Sequence, residues 1–182
     1  MRKLIAAINV TLDGVCDHTA VDADEELHDH YTKLIQNAGL LLYGRVTFQL
    51  MEYWKTVLAH PTGTPSMDEF AVAMDRVPKL VFSRTLKEPN WHSARIAAKS
   101  LEQEVRELKM EEGRDIFACS PSMIQQLTDL RLVDEYQLCV HPVIAGRGKL
   151  LFEHSNPNRL LLELIETRHL SSGAMVLTYI PR

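Results

Sequence analysis

Leu40-Leu41-Leu42-Tyr43 is apolar without interruption and runs straight into Gly44-Arg45-Val46-Thr47-Phe48. A strand that alternates apolar and polar residues keeps one face in water, whereas an unbroken apolar run has no wet face and must be covered on both sides. Lys79 to Ser83 reads the same way, reached through Pro78, and Asp115 to Cys119 reads as a further strand. Amphipathic segments separate these runs. That alternation predicts an α/β chain with helices on both faces of a mixed, mostly parallel central sheet.

The remaining elements follow from period and punctuation. Lys3 to Val10 is a first strand closed by the turn dipeptide Asp13-Gly14. Asp22 to Asn37 carries Leu27, Tyr31, Leu34 and Ile35 at helical spacing, and Gly39 ends it. Thr47 to Trp54 is helical, His60 to Ser66 is a loop with two prolines and a glycine, and a short helix spans Asp68 to Arg76. Arg95 to Ala98 is a short strand, and Ser100 to Glu112 is an amphipathic helix through Leu101, Val105 and Leu108. Pro121 suits a first helical turn and opens a helix through Met123, Ile124 and Leu127. Glu135 to Val140, Leu160 to Thr167 and Ala174 to Ile180 read as strands with no long helix between them, which implies an antiparallel carboxyl-terminal end.

With 182 residues, 46% of them hydrophobic and 24% charged, the chain is expected to be a single globular domain over residues 1–182. A net charge of −4 and scattered Lys and Arg leave no basic footprint, so nucleic acid is not an expected partner. No apolar run approaches the roughly 20 residues of a membrane span, and the start is not a signal-peptide core, so the expected location is the cytoplasm. Cys16, Cys119 and Cys139 are odd in number and lack close spacing, which argues against a disulfide framework or a zinc site. His28-Asp29-His30 is no better as a metal site, because residues two apart on a helix do not share a face.

Three strand-to-helix turns carry polar residues where an open α/β sheet gathers ligands, beyond the carboxyl ends of its parallel strands. At Gly44-Arg45-Val46-Thr47 a bare glycine would let backbone N–H groups approach an anion, with Arg45 adding a charged fork and Thr47 a hydroxyl. Ser83-Arg84-Thr85 suits a second phosphate or a ribose. Cys119-Ser120-Pro121-Ser122 offers Ser120 and Ser122 as caps of a helix start able to hold a pyrophosphate. Each turn alone has a plainer explanation; three polar strand ends, two with arginine, favour a dinucleotide. Gly146-Arg147-Gly148-Lys149 resembles a P-loop only superficially, since Leu150 follows where Ser or Thr is required. Tyr53, Trp54 and Trp91 read as core or interface aromatics.

Four stretches in this order carry a family resemblance: Ile5 to Gly14, Leu42 to Phe48, Leu80 to Thr85, and Leu132 to Glu135 continuing into His141 to Phe152. Over nearly its whole length the chain resembles a dihydrofolate reductase-like protein, closest to stand-alone relatives of the pyrimidine reductase domain of the bifunctional riboflavin-biosynthesis deaminase/reductase. The resemblance implies a dihydrofolate reductase-like fold and an NADPH-dependent oxidoreductase acting on a pterin-like or ribosylaminopyrimidine-like substrate, of the kind that reduces 5-amino-6-(5-phosphoribosylamino)uracil. It places the nicotinamide beside the backbone near Ala7, phosphate and adenosine parts on Gly44, Arg45, Val46 and Thr47, adenosine beside Ser83 and Arg84, and pyrophosphate near Ser120, Pro121 and Ser122. Arg45 and Arg84 would then read the 2′-phosphate that separates NADPH from NADH.

One departure is plain: where the family usually has two adjacent glycines at the third strand end, this chain has Cys119-Ser120 and then Pro121. Substrate chemistry falls to Asp13, in the Leu-Asp-Gly segment that the relatives share, as the group that positions or protonates the acceptor. In dihydrofolate reductases proper an acidic residue on the helix before the Gly-Arg turn grips the pterin. By spacing its equivalent falls on or beside His28, with Glu25, Asp29 and His30 nearby and no carboxylate squarely in place, which argues against dihydrofolate itself and leaves His28 as the substitute for that acid. The resemblance also implies a homodimer, with Val140 to Phe152 helping to form cofactor pocket and dimer contact. A nucleotide-binding protein without turnover is the alternative reading, favoured by the missing glycine pair and the missing acid.

Overall fold

The computed structural model describes residues 1–153 and 159–182. In chain order its elements are β1 (Leu4–Thr11), α1 (Glu25–Asn37), β2 (Leu40–Gly44), α2 (Arg45–Met51), α3 (Tyr53–Ala59), α4 (Pro65–Arg76), β3 (Lys79–Phe82), β4 (Ala94–Ile96), α5 (Leu101–Met110), β5 (Ile116–Ala118), α6 (Pro121–Asp129), β6 (Glu135–His141), β7 (Leu162–His169) and β8 (Met175–Pro181). The strands make a mixed, mostly parallel sheet with an antiparallel carboxyl-terminal end and helices around it. The chain gathers into two compact units, Met1–Arg2 with Ala23–Phe117 and Lys3–Asp22 with Ala118–Arg182.

In the first unit the strands run β4, β3, β2, β5. β2 pairs in parallel with β3, Leu41 opposite Lys79 and Gly44 opposite Phe82, and β3 pairs in parallel with β4. Leu40 to Tyr43 are all buried, as an apolar run without a polar face requires. α1 begins at Glu25 rather than Asp22, because the Asp24 carboxylate accepts the Leu27 N–H at 2.8 Å and so becomes the cap. The helix expected over Thr47 to Trp54 is two: α2 starts directly after the strand, and Glu52 separates it from α3. α4 starts three residues before the expected Asp68. Pro65 occupies its first turn, where the missing N–H costs nothing, and the Asp68 carboxylate reaches back to Thr62 and Gly63.

Two contacts hold this unit together, the first across a long stretch of sequence. Arg2 is buried, and its Nε donates to the Arg114 carbonyl at 2.6 Å while Nη1 meets Glu111 at 3.3 Å. Gly39 lies against the same spot: a Cβ there would sit 2.6 Å from the Arg114 carbonyl oxygen and 2.8 Å from Arg2 Nη2. Gly39→Ala should therefore lower the unfolding free energy by about 1–3 kcal/mol, the usual cost of overpacking. Urea unfolding checks it, and a midpoint equal to the parent's would show that the backbone yields freely. The second contact is Lys79, treated in the Discussion, whose ammonium is buried beneath the end of α4.

In the second unit the order is β1, β6, β8, β7. β1 and β6 are parallel, with Ile5 opposite Glu135 and Thr11 opposite His141, whereas β6, β8 and β7 are antiparallel neighbours. Asp134 ties the start of the pair by accepting the Leu4 N–H at 2.8 Å. Tyr136, on β6, meets Thr128 of α6 at 2.9 Å between hydroxyls. β7 lies last in the order and bulges at Ile165, between Leu164 and Glu166.

Candidate functional site

Parallel pairing brings two of the expected binding turns together. Gly44 and Phe82 are register partners, so β2 delivers Gly44-Arg45-Val46-Thr47 and β3 delivers Ser83-Arg84 from adjacent strand ends pointing the same way. Gly44 caps α2 at φ −76° and ψ 157°, ordinary extended angles, so the glycine's use here is its bare surface and not its conformational freedom. Arg45 is exposed and its Nη1 donates to Gln49 one turn on, at 3.0 Å, which lays the guanidinium along the helix. Val46 is exposed and Thr47 half-buried. The Ser83 hydroxyl accepts from the Thr85 and Leu86 amides at 3.2 and 2.8 Å, closing the turn and leaving its own hydrogen to donate outward. Arg84 is exposed, and among the described residues no carboxylate pairs with it.

Ala7, Asp13 and Ser120 to Ser122 belong to the second unit. Ala7 is buried in β1 opposite Gln137. Ser120 is the N-cap residue of α6 and Pro121 its first helical residue, as expected, but the capping role expected of the serines is not what they do. The Ser120 side chain makes no capping hydrogen bond, and Ser122 lies inside the helix, where its carbonyl accepts from Gln126 Nε2 at 2.9 Å. Ser120 has φ −109° and ψ 127°, angles any residue adopts, so the backbone here runs without the family's glycines and without strain.

Asp13 does something different from what its position suggested. Oδ1 accepts from Thr11 Oγ1 at 2.5 Å and from the Ala145 amide at 3.1 Å, and Oδ2 accepts from the Gly146 amide at 2.8 Å. The Thr11 hydroxyl, foremost, and the two amides hold this carboxyl at about 2, below its ordinary 3.8. An acid so committed to its ionised form is a poor proton donor, and its hydrogen bonds tie it to the Ala145-Gly146 segment. The same two segments are stitched further by Leu12 N to Val143 O, Cys16 N to Lys149 O, Leu151 N to Gly14 O and a Val15–Leu150 bridge.

The sign of this linkage follows from the depressed pKa: the clasp's contribution is complete above the unfolded value of 3.8 and is lost as pH falls through about 2. Asp13→Ala should accordingly speed hydrogen exchange at the Ala145 and Gly146 amides by roughly tenfold at neutral pH, the effect of losing a charge-assisted partner. Unchanged exchange would mean that the other stitches hold the segment by themselves.

His28 sits in a ring cluster, its imidazole edge-on to Trp54 and Phe70 with centroids 5.7 and 5.9 Å away. Trp54 and Phe70 are themselves 4.4 Å apart, so α1, α3 and α4 meet through these rings, and Trp54 belongs to the packing as expected. His30 turns to Tyr31 instead, 5.2 Å away. Asn9 and His141 are polar residues that sequence reasoning passed over. At the carboxyl ends of β1 and β6, His141 Nε2 lies 3.0 Å from Asn9 Oδ1, and His141 is buried. The one available signal was the amide of Asn9 inside the apolar run from Leu4 to Val10. None of the three cysteines forms a disulfide. Among the described residues no helix is long and apolar enough to cross a membrane.

Solved structures share this mixed α/β architecture. A protein assigned to riboflavin biosynthesis from Shewanella sp. PV-4 superposes with a TM-score of 0.73 at 18% identity, covering 99% of both chains. A pyrimidine reductase-like protein from Corynebacterium diphtheriae gives 0.62 at 13% identity, covering 100% of this chain and 92% of that one. The diaminohydroxyphosphoribosylaminopyrimidine deaminase/5-amino-6-(5-phosphoribosylamino)uracil reductase of Thermotoga maritima gives 0.69 at 14% identity, with all of this chain matching 57% of the larger one. Likeness at such identities is likeness of fold.

The chain belongs to the RibD C-terminal domain family, which it matches over residues 2–176. It is also 32% identical over 182 residues to the uncharacterized protein YyaP of Bacillus subtilis (strain 168), covering 98% of this chain and 94% of that protein.

Proposed function

We propose that the protein is an NADPH-dependent reductase that transfers hydride to a C=N or C=O group of a pterin-like or ribosylaminopyrimidine-like heterocycle. The observation that carries this reading is the pair of exposed guanidinium groups, Arg45 and Arg84, issuing from adjacent parallel strand ends beside the bare cap at Gly44. Two arginines so placed suit a phosphate monoester such as the 2′-phosphate of NADPH. Ser83, its acceptor sites spent on its own turn, has a hydrogen to donate to a ribose or phosphate oxygen. When bound, NADPH supplies the hydride. Asp13 contributes by holding the Ala145-Gly146 segment, with the acceptor's proton coming from another source.

Oxidation of NADPH, followed by its absorbance in the presence of a panel of pteridines and ribosylaminopyrimidines, tests the proposal. Turnover with a member of the panel supports it. The second reading, a nucleotide-binding protein without turnover, is favoured by two features: Cys119-Ser120-Pro121 in place of paired glycines, and an ionised Asp13 with no proton to give. Cofactor fluorescence that reports tight NADPH binding, with no oxidation across the panel, would decide for that reading.

A further inference from the structure

The two faces of the β1–β6 pair differ in chemistry. Leu4, Ala6, Ile8 and Val10 of β1 share one face with Tyr136, Leu138 and Val140 of β6, and this apolar face meets α6 through Tyr136 and Thr128. The other face carries Asn9 and Thr11 on β1 beside Gln137, Cys139 and His141 on β6. Asn9 is half-buried while the other seven residues of β1 are buried, and Gln137 on the neighbouring strand is half-buried too. Ala7, the register partner of Gln137, puts only a methyl group beside the two carboxamides. Polar groups toward the carboxyl ends of parallel strands lie where α/β sheets gather ligands.

Each carboxamide is held at one end by a neighbour on its own face. Asn9 Oδ1 can only accept, so the buried His141 ring donates to it from Nε2 across 3.0 Å. Gln137 Nε2 donates to Glu135 Oε1 at 2.7 Å, and Glu135 Oε2 pairs in turn with Lys3 at 3.3 Å. Either bond takes one of the four hydrogen-bonding positions of its carboxamide and fixes which end is oxygen and which is nitrogen. A carboxamide so oriented presents an acceptor and a donor side by side, the complement of the N–H and adjacent C=O of a cyclic amide.

We propose that Asn9 and Gln137 form the seat of the acceptor heterocycle. Asn9 pairs through Oδ1 and Nδ2 with a lactam N–H and its neighbouring C=O, and His141 is the positioning residue that fixes the Asn9 amide. The inference rests on the reductase reading for the kind of ring, since pterins and ribosylaminopyrimidines both carry such a lactam, and adds which edge of the ring the protein reads. Thr11, next along the same face, donates to Asp13 and accepts from the Val15 amide, so the reading of the ring falls to the carboxamides. A seat built on hydrogen bonds discriminates sharply against a ring whose lactam hydrogen is replaced by methyl, because its polar groups are then left unpaired.

Fluorescence titration of the full chain with lumazine, a pteridine that has lactam N–H groups, and with 1,3-dimethyllumazine, which has none, tests this. The parent should bind lumazine tighter by roughly tenfold or more. Asn9→Asp keeps an acceptor for His141 but sets an oxygen against the ring carbonyl, so it should weaken lumazine by roughly tenfold or more and leave the dimethyl form nearly unchanged. His141→Leu should weaken lumazine in the same selective way, whereas His141→Gln, which returns an N–H near the place of Nε2, should keep most of the affinity. A histidine that served the fold alone would not separate the two ligands. Gln137→Leu, at a half-buried position, should also weaken lumazine selectively and serves if a change at Asn9 or His141 lowers the melting temperature. Lumazine binding of this pattern without NADPH oxidation across the pteridine panel would remove the reductase reading and leave the seat supported. A parent that binds neither ligand or both alike, or Asn9 and Gln137 variants that bind lumazine as the parent does, would overturn the proposal. So would an equal loss of NADPH affinity in Asn9→Asp, which would give the seat to the nicotinamide.

Discussion

Removing both guanidinium groups, as Arg45→Ala together with Arg84→Ala, should raise the dissociation constant of NADPH by roughly 100-fold or more and that of NADH by only a few fold. Charge-assisted hydrogen bonds are each worth about 1.5–3 kcal/mol, and 1.4 kcal/mol is a factor of ten in binding. NADH has no 2′-phosphate, so whatever these arginines contribute through that group is absent from its affinity. Arg45 alone should show the same selectivity at smaller magnitude, because its guanidinium starts from a hydrogen bond with Gln49 that binding must replace or share. Arg84 has no such partner among the described residues and is free to swing. Cofactor fluorescence titrations at one fixed ionic strength make the measurement, since both residues are exposed and salt screens them. Equal losses for the two cofactors would mean that the arginines bind something common to both, and the 2′-phosphate assignment would fall.

Lys79→Ala should lower the unfolding free energy by about 3 kcal/mol, through a void where the stem was and through acceptors left without a donor. Lys79 is 1% accessible. Its Nζ donates to the carbonyls of Met74 and Val77 at the end of α4 and to Ser93 Oγ at 2.8 Å, and lies 4.0 Å from the centre of the Trp91 ring. Trp91 is held in turn by its indole N–H, which donates to Asp75 at 2.8 Å. One cation thus closes the carboxyl end of a helix, where negative partial charge collects, and joins it to the segment leading into β4. Lys79→Met keeps most of the stem's volume and should recover part of the loss.

The pH dependence of stability distinguishes the charge from the packing. Burial pushes the Lys79 ammonium down to about 8 from its ordinary 10.5, against the opposing pull of Asp75. A folded pKa below the unfolded one means that the unfolded chain binds more protons between these values, so this residue's contribution to stability rises with pH from about 8 to 10.5. The penalty for carrying the charge is fully present below that window. The difference in unfolding free energy between parent and Lys79→Met should therefore drift in the parent's favour as pH rises through the window. A difference that stays flat with pH would show that the lysine titrates as though in water.

What was legible beforehand is what neighbouring residues control. Leu40 to Tyr43 announced a doubly covered strand because an unbroken apolar run has only one solution, and Pro121 announced a helix start because its fixed backbone angle permits little else. Gly44-Arg45 and Ser83-Arg84 could be seen as polar strand ends, but their adjacency needed the register of β2 against β3. Boundaries slipped where a side chain several residues away captured the turn, as Asp68 does from inside α4.

Asp13 illustrates the limit best. Its place after β1 in a Leu-Asp-Gly segment was plain from the sequence, whereas its partners, Ala145 and Gly146, lie 132 and 133 residues away. A carboxylic acid's readiness to give up a proton depends on what surrounds it, and here the neighbouring Thr11 hydroxyl contributes most, with the two distant amides adding to it. Gly39 against Arg2 and Arg114 likewise depends on distant partners. The amino-acid sequence by itself determined the alternation of strands and helices, the family and the chemical character of each strand end, because these follow from short-range periodicity and residue type. The tertiary structure alone decided which strand ends stand side by side, which amides Asp13 clasps and how tightly Gly39 is hemmed in, because those properties belong to contacts between segments far apart along the chain.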